Sequence, residues 1–129
     1  MKRDMDLIRN ILLEIEKQDI NSTHIRPIVV DGYTPMEIMQ HVKLMEGHGL
    51  VRDCIYDRCY NTYVRTITWE GYDFLEKIRD HTMWEKTKNV IVQKGLPLVF
   101  DTVKTVSTAL VTAAAEGVAN SIIKNGGQI

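Results

Sequence analysis

The sequence predicts a mainly helical α+β fold. Residues 1–80 form one domain in the order helix, short strand, helix, β-hairpin, helix, and residues 81–129 add C-terminal helices. Three observations predict it. Apolar residues recur at helical spacing from Met5, from Ile38 and again from Phe74. Two runs rich in Val, Ile, Tyr and Thr, residues 50–56 and 62–67, flank Asp57-Arg58-Cys59-Tyr60-Asn61, which has the composition of a hairpin loop. Helix-start signals stand at Thr34-Pro35-Met36-Glu37 and at Thr68, where a hydroxyl can accept from first-turn amides.

The first helix, over residues 4–18, places Met5, Ile8, Ile11, Leu12 and Ile15 on one side and Arg9, Glu14, Glu16 and Lys17 on the other. It runs out at Asp19-Ile20-Asn21-Ser22, whose short polar side chains compete for backbone hydrogen bonds. Ile25, Ile28, Val29 and Val30, held away from helix by Pro27, predict a short edge strand. Asp31-Gly32 turns the chain into a capping box, with Thr34 as acceptor, Pro35 at the first helical position and Glu37 reaching back. This second helix turns Ile38, Met39, Val42 and Met45 inward and stops at Gly47-His48-Gly49.

After the hairpin, Thr68 caps a helix carrying Tyr72, Phe74, Leu75 and Ile78. Asp80-His81 breaks it, and Thr82-Met83-Trp84-Glu85 reads as a second capping box, opening a helix with Trp84, Thr87 and Ile91 on one side. Lys94-Gly95-Leu96-Pro97 separates this helix from a final one, expected from about Leu98 to Lys124 and fraying at Gly126-Gly127.

The order of elements resembles a winged helix, in which the helix before the hairpin is the reading helix and the hairpin is the wing. His41-Val42-Lys43-Leu44-Met45-Glu46-Gly47-His48-Gly49-Leu50-Val51 resembles the end of such a reading helix, where a leucine-rich turn is followed by glycine and a Leu-Val entry into the wing. Ile67-Thr68-Trp69-Glu70-Gly71-Tyr72-Asp73-Phe74-Leu75 resembles the junction after the wing, commonly Leu-Thr-x-x-Gly-x-x-Phe-Leu. More closely, Met1-Lys2-Arg3-Asp4-Met5-Asp6-Leu7-Ile8-Arg9 with Leu12, the Thr68-Trp69-Glu70-Gly71 junction, and Ile78-Arg79-Asp80 followed by Trp84 resemble a family of short bacterial, phage and prophage proteins known as a domain of unknown function. The likeness covers about residues 1–95. It implies a bacterial or phage origin and no activity. One departure stands out: a DNA-reading winged helix has a positioning helix before the reading helix, and residues 19–33 leave room only for a turn and a strand. The tri-helical DNA-docking unit is therefore expected to be incomplete.

Composition narrows the function classes. Hydrophobic residues at 44% and charged residues at 26% are ordinary globular usage. Cys54 and Cys59 cannot build the staples of a small secreted domain, and the charged opening Met1–Asp6 lacks a signal-peptide apolar region, so a cytoplasmic protein is expected. Leu96–Ile123 is the most apolar stretch, but Asp101, Lys104, Glu116 and Asn120 interrupt it, which favours a soluble helix over a membrane span.

No residue pattern points to catalysis, a metal or a cofactor. His24, His41, His48 and His81 are scattered without a nucleophile motif or a phosphate loop. Cys54 and Cys59, with His48 nearby, lack the close pairs that structural zinc requires. Asp73, Glu76 and Asp80 share a helical face with Lys77 and Arg79, as a solvated surface does.

Charge discriminates among partners. Residues 1–80 carry 4 Lys and 7 Arg against 8 Asp and 6 Glu, a net charge of −3, whereas residues 81–129 carry 5 Lys against 1 Asp and 2 Glu, a net of +2. DNA binding draws on counterion release by basic residues, so this balance disfavours it without forbidding it. The charges of the reading helix are Glu37, Lys43 and Glu46, leaving Gln40, Lys43 and the wing arginines for DNA. Tyr56, Tyr60 and Tyr63 with Arg52, Arg58 and Arg65 read equally as a binding tip or as cross-strand pairs steadying the hairpin.

On the last helix Val99, Val103, Val106, Leu110, Ala114, Val118 and Ile122 make one stripe, and Ala113 and Gly117 would let a second backbone approach. Val99, Val103, Val106, Leu110, Ala113 and Gly117 form the candidate oligomer interface, a symmetric dimer being the simplest outcome. The expected function is a non-enzymatic interaction module in bacterial or phage regulation, acting by protein–protein contact. The alternative is a dimeric DNA-binding transcriptional regulator whose wing arginines touch phosphates.

Overall fold

A computed structural model describes residues 1–126 of the chain. Its elements are α1 (Met5–Glu16), α2 (Pro35–Gly47), β1 (Val51–Tyr56), β2 (Thr62–Ile67), α3 (Trp69–Ile78), α4 (His81–Gln93) and α5 (Phe100–Gly126). The fold is α+β and mainly helical, a winged-helix-like arrangement with C-terminal helices, and the chain divides into compact units Met1–Arg79 and Asp80–Ile129. Of the fraying expected at Gly126-Gly127, Gly126 is still helical and Gly127 lies outside the described residues.

In the first unit Asp4 caps α1, its carboxylate accepting from the Leu7 amide at 3.1 Å. Met5, Leu7, Ile8, Ile11, Leu12 and Ile15 are buried, and α1 packs against α2, β2 and α3. The capping box of α2 is formed as its sequence dictates, with Ile38, Met39, Val42 and Met45 turned into the core. Gly49 then adopts a left-handed φ of +85°, which brings Leu50 into the hairpin.

The strands pair antiparallel, from Val51 opposite Ile67 to Tyr56 opposite Thr62. Asp53 interrupts β1 with a φ of +59°, held where its carboxylate accepts from the Thr66 hydroxyl at 2.6 Å. That residue shifts the alternation of faces. Val51 is buried and Cys54 half-buried, three positions apart, matched on β2 by the buried Ile67 and Val64, while Ile55 is exposed.

The junction with α3 is close. Thr68 donates its amide to Leu50 O at 3.0 Å and its hydroxyl to Gly49 O at 2.6 Å, and the same hydroxyl accepts from the Gly71 amide. A Cβ on Gly71 would lie 2.1 Å from Leu50 O and 2.7 Å from an Ile67 methyl, so only glycine lets the helix meet the strand entry.

The structure corrects two expectations about elements. The strand expected across Ile25–Val30 does not form: one backbone hydrogen bond, Ile28 N to Thr62 O at 2.9 Å, ties the segment to β2, and Pro27 brings no amide to extend it. As expected from residues 19–33, no helix stands between α1 and α2 among the described residues, so the positioning helix is missing. Tyr72 is 42% exposed rather than inward, because the buried set of α3 is Gly71, Phe74, Leu75 and Ile78, and Tyr72 falls one residue out of that phase.

In the second unit α4 is capped by Asp80 rather than Thr82; the Asp80 carboxylate accepts from Met83 N at 2.9 Å. Since the helix already begins at His81, Thr82 stands inside its first turn. Trp84, Thr87 and Ile91 are buried, and Gly95, with a φ of +68°, turns the chain toward α5. Thr102 accepts from Val99 N at 3.1 Å at the start of α5, two residues after the expected Leu98. The first third of α5 packs on α4, with Val103 and Ser107 buried, but every residue from Val111 to Lys124 is exposed. By length and composition Phe100–Lys124 could cross a membrane, its most apolar window having a mean hydropathy of 1.3 and 6% of it buried.

Candidate functional site

A polar network sets the pose of α2. The Tyr33 hydroxyl donates to Asp4 Oδ2 at 2.6 Å, and the Asp4 amide donates to His41 Nε2 at 2.9 Å. The other ring nitrogen, Nδ1, lies 2.8 Å from Glu37 O. An amide can only donate and a carbonyl only accept, so the buried His41 ring is neutral with its proton on Nδ1. The bond to Asp4, reinforced by burial, pushes the Tyr33 hydroxyl up to about 12. His41 thus links the start of α1 to α2. Its spacing of three residues from the inward Ile38 is the sequence signal that marks it as a core position.

Glu37 closes the N-terminus of α2. Its carboxylate accepts from Thr34 N at 3.1 Å while its own amide donates to the Thr34 hydroxyl at 3.2 Å. The outward ridge of the helix is Met36, Gln40 and Leu44 at four-residue steps, with Met36 47% and Leu44 43% exposed. Sequence reasoning took Gln40 from this ridge and missed the two apolar residues, although both fall outside the inward set.

Where the hairpin meets α2, Lys43 Nζ sits 5.2 Å from the centre of the Tyr56 ring, and the Tyr56 hydroxyl makes a long bond of 3.4 Å to Glu46 Oε1. Burial, with the Glu46 carboxylate alongside, pushes the half-buried Cys54 thiol up to about 12. Burial, with Cys54 and Glu46 as neighbours, raises the Tyr56 hydroxyl too. A thiol so placed stays protonated at neutral pH and is a poor nucleophile.

At the hairpin tip Asp57 organises the loop. Its Oδ1 accepts from the Cys59 and Asn61 amides, both at 2.9 Å, and its Oδ2 from the Asn61 side chain at 3.1 Å and the Tyr63 hydroxyl at 3.3 Å. The Asn61 amide, helped by the other donors, holds the Asp57 carboxyl below its usual value. Desolvation and the Asp57 charge raise Tyr63. Tyr60 takes a left-handed φ of +64° and is exposed.

The three tyrosines therefore do not cluster. Tyr56 stands opposite Thr62 and Tyr63 opposite Ile55, so neighbouring pairs point to opposite faces of the ribbon. Arg52, Arg58 and Arg65 are exposed, spread from strand to tip, and none joins an ion pair among the described residues. Of the carboxylates read as one face, Glu76 pairs with Arg79 at 2.6 Å and Asp80 caps α4. Among the described residues no group of three or more His, Cys, Asp and Glu is placed to hold a metal ion. On α5, Val103 is buried and Val106 and Leu110 are half-buried, as is Val99 just before the helix, whereas Ala113 and Gly117 lie on the exposed length.

Arg9, read from sequence as part of a solvated face, instead donates to Ile78 O and Arg79 O, both at 2.7 Å, and so holds the end of α3 against α1. No single-residue signal distinguishes it from its polar neighbours.

Residues 2–97 match the family described as hypothetical protein (DUF2513). An uncharacterized protein of Haemophilus influenzae is 33% identical over 114 residues, covering 87% of this chain and 97% of that protein. No solved structure matches.

Proposed function

The chain belongs to the DUF2513 family, and we propose that its first unit is a cytoplasmic, non-enzymatic module that binds a protein partner through the outward ridge of α2 and the hairpin, in bacterial or phage regulation. The observation that carries this reading is the make-up of α2. Its first-turn amides, where a phosphate would dock, are faced by the Glu37 carboxylate, and its outward ridge presents Met36 and Leu44 around Gln40. A net charge of −3 over residues 1–80 weakens attraction to a polyanion and leaves attraction to a polypeptide intact.

The non-enzymatic part is supported by how the reactive side chains are used. Both nitrogens of His41 are committed to backbone groups, and Cys54 is held as a thiol. Cys54 and Cys59 are both free, which suits a reducing compartment.

A dimeric DNA-binding regulator is the second reading, favoured by the exposed Arg52, Arg58 and Arg65 on the wing. Two experiments decide. In pull-downs from the native host, a captured protein should be lost with Met36→Asp plus Leu44→Asp and retained when the three arginines become Ala. In titrations against random duplex DNA at two salt concentrations, tight binding that weakens steeply with salt and disappears in the arginine variant would replace the first reading with the second.

A further inference from the structure

We propose that the outward face of α3 docks a basic polypeptide segment, with an arginine side chain stacked on Trp69 and paired with Asp73. The reading stands on α3 and is independent of the ridge on α2. Trp69 is 79% exposed, the most exposed aromatic side chain among the described residues, and Tyr72, about one helical turn on, is 42% exposed. The fold does not ask for a tryptophan there. Thr68 caps α3 and Gly71 makes room for Leu50 O, while position 69 between them faces water.

The charges beside the two rings define what they attract. Glu70, Asp73 and Glu76 occupy exposed positions of α3 against a single lysine, Lys77, so this face is negative. Glu76 is bound by Arg79, whereas the Asp73 carboxylate joins no ion pair among the described residues. The faces of indole and phenol rings draw cations, as carboxylates do. Rings and carboxylates on one side of a helix therefore complement a cationic partner and disfavour a polyanion.

The other tryptophan shows the same arrangement filled from within. Lys88, four residues after Trp84 on α4, holds its Nζ 5.3 Å from the ring centre, and Lys43 holds its own 5.2 Å from that of Tyr56. Four residues after Trp69 stands Asp73, so at this ring the chain provides the counter-charge for a cation rather than the cation. Side chains at this spacing on a helix lie about 6 Å apart at Cβ. A guanidinium spans that distance, its plane on the indole and its N–H edge on the carboxylate, which a compact ammonium does less well. Arg79 shows the reach of such a group, since it bridges the carboxylates of Glu16 and Glu76.

An NMR titration of the full chain at low salt tests this, with a peptide of four Gly-Arg repeats, blocked at both ends, as the probe. The α3 amides around Trp69 and Asp73 are expected to shift saturably, and the dissociation constant to rise about fivefold in Trp69→Leu and about threefold in Asp73→Asn. Asp31→Asn, which removes the same charge from an exposed position outside α3, should leave it nearly unchanged. The matching Gly-Lys peptide should bind several times more weakly, and a Gly-Gln peptide should not bind. All three substituted positions are exposed, and unchanged circular dichroism in each variant shows that folding is not the cause. The absence of a saturable shift at millimolar peptide overturns the proposal, as does equal weakening by Asp31→Asn and Asp73→Asn, or equal binding of the Gly-Lys or Gly-Gln peptide. Self-association of the free chain in sedimentation, lost in Trp69→Leu, would give the face to a second copy and overturn it as well.

Discussion

Individual residues in this chain are constrained mainly by what lies one atom away. Gly71 has no room for a methyl group against Leu50 O, so Gly71→Ala should lower stability by about 3 kcal/mol in urea unfolding. Gly47 meets nothing within 4 Å, and Gly47→Ala should instead raise stability, by about 0.5 kcal/mol. The thiols should separate in the same way: a disulfide reagent at neutral pH should label the exposed Cys59 rapidly and the half-buried, protonated Cys54 slowly. The pH dependence follows in sign. Cys54 rises from 9.0 to about 12 and Tyr33 from 10.0 to about 12 on folding, so their contribution is complete below pH 9 and is lost as pH climbs toward 12. The melting temperature should therefore fall across that window, and Cys54→Ala should flatten its lower part. The lowered Asp57 carboxyl acts at the acid end, contributing above the ordinary carboxylate range and losing its effect as pH drops through its depressed value. Gly71 was legible within the Thr-x-x-Gly junction. His41 was visible only as a position in phase with Ile38, since a histidine's burial depends on finding an amide and a carbonyl for its two nitrogens.

Secondary-structure elements were the most legible level, because their signals are local. The Thr34–Glu37 box, the left-handed Gly49 and the Asp57 loop each act within four or five residues, and each did what its sequence requires. Competition between neighbouring signals was harder to read. Asp80 and Thr82 could both cap α4, and the structure uses Asp80; Asp80→Ala should cost about 1 kcal/mol in thermal unfolding while Thr82→Ala changes little. How elements are joined was not legible at all in the case of Arg9. Its two hydrogen bonds close the last carbonyls of α3, so Arg9→Ala should cost about 2 kcal/mol. Arg9→Lys should not restore it fully, since an ammonium lacks the guanidinium's paired geometry. The edge strand expected at Ile25–Val30 failed for a related reason: β-propensity can be read along the chain, but a ladder needs a second bond from across it.

For the whole molecule, the burial pattern predicts which parts can be removed. No residue from Val111 to Lys124 is buried, so a chain ending at Leu110 should keep the packing around Trp84, Ile91 and Val103. Iodide should then quench Trp69, 79% exposed, and spare Trp84, 1% exposed, in both the full and the shortened protein; quenching of Trp84 in the shortened form would show that the distal helix supports the core. The residues themselves determined the order of the helices and the hairpin, the capping of α2 and α3, and the acidic balance of the first 80 positions, since periodicity, capping and charge are properties of neighbours in sequence. Only the tertiary structure decided which polar side chains turn inward, where each tyrosine points, and how far α5 extends past its partner. Those outcomes depend on groups far apart in the chain, 37 residues between Asp4 and His41 and 69 between Arg9 and Ile78, and no local pattern encodes what will stand opposite.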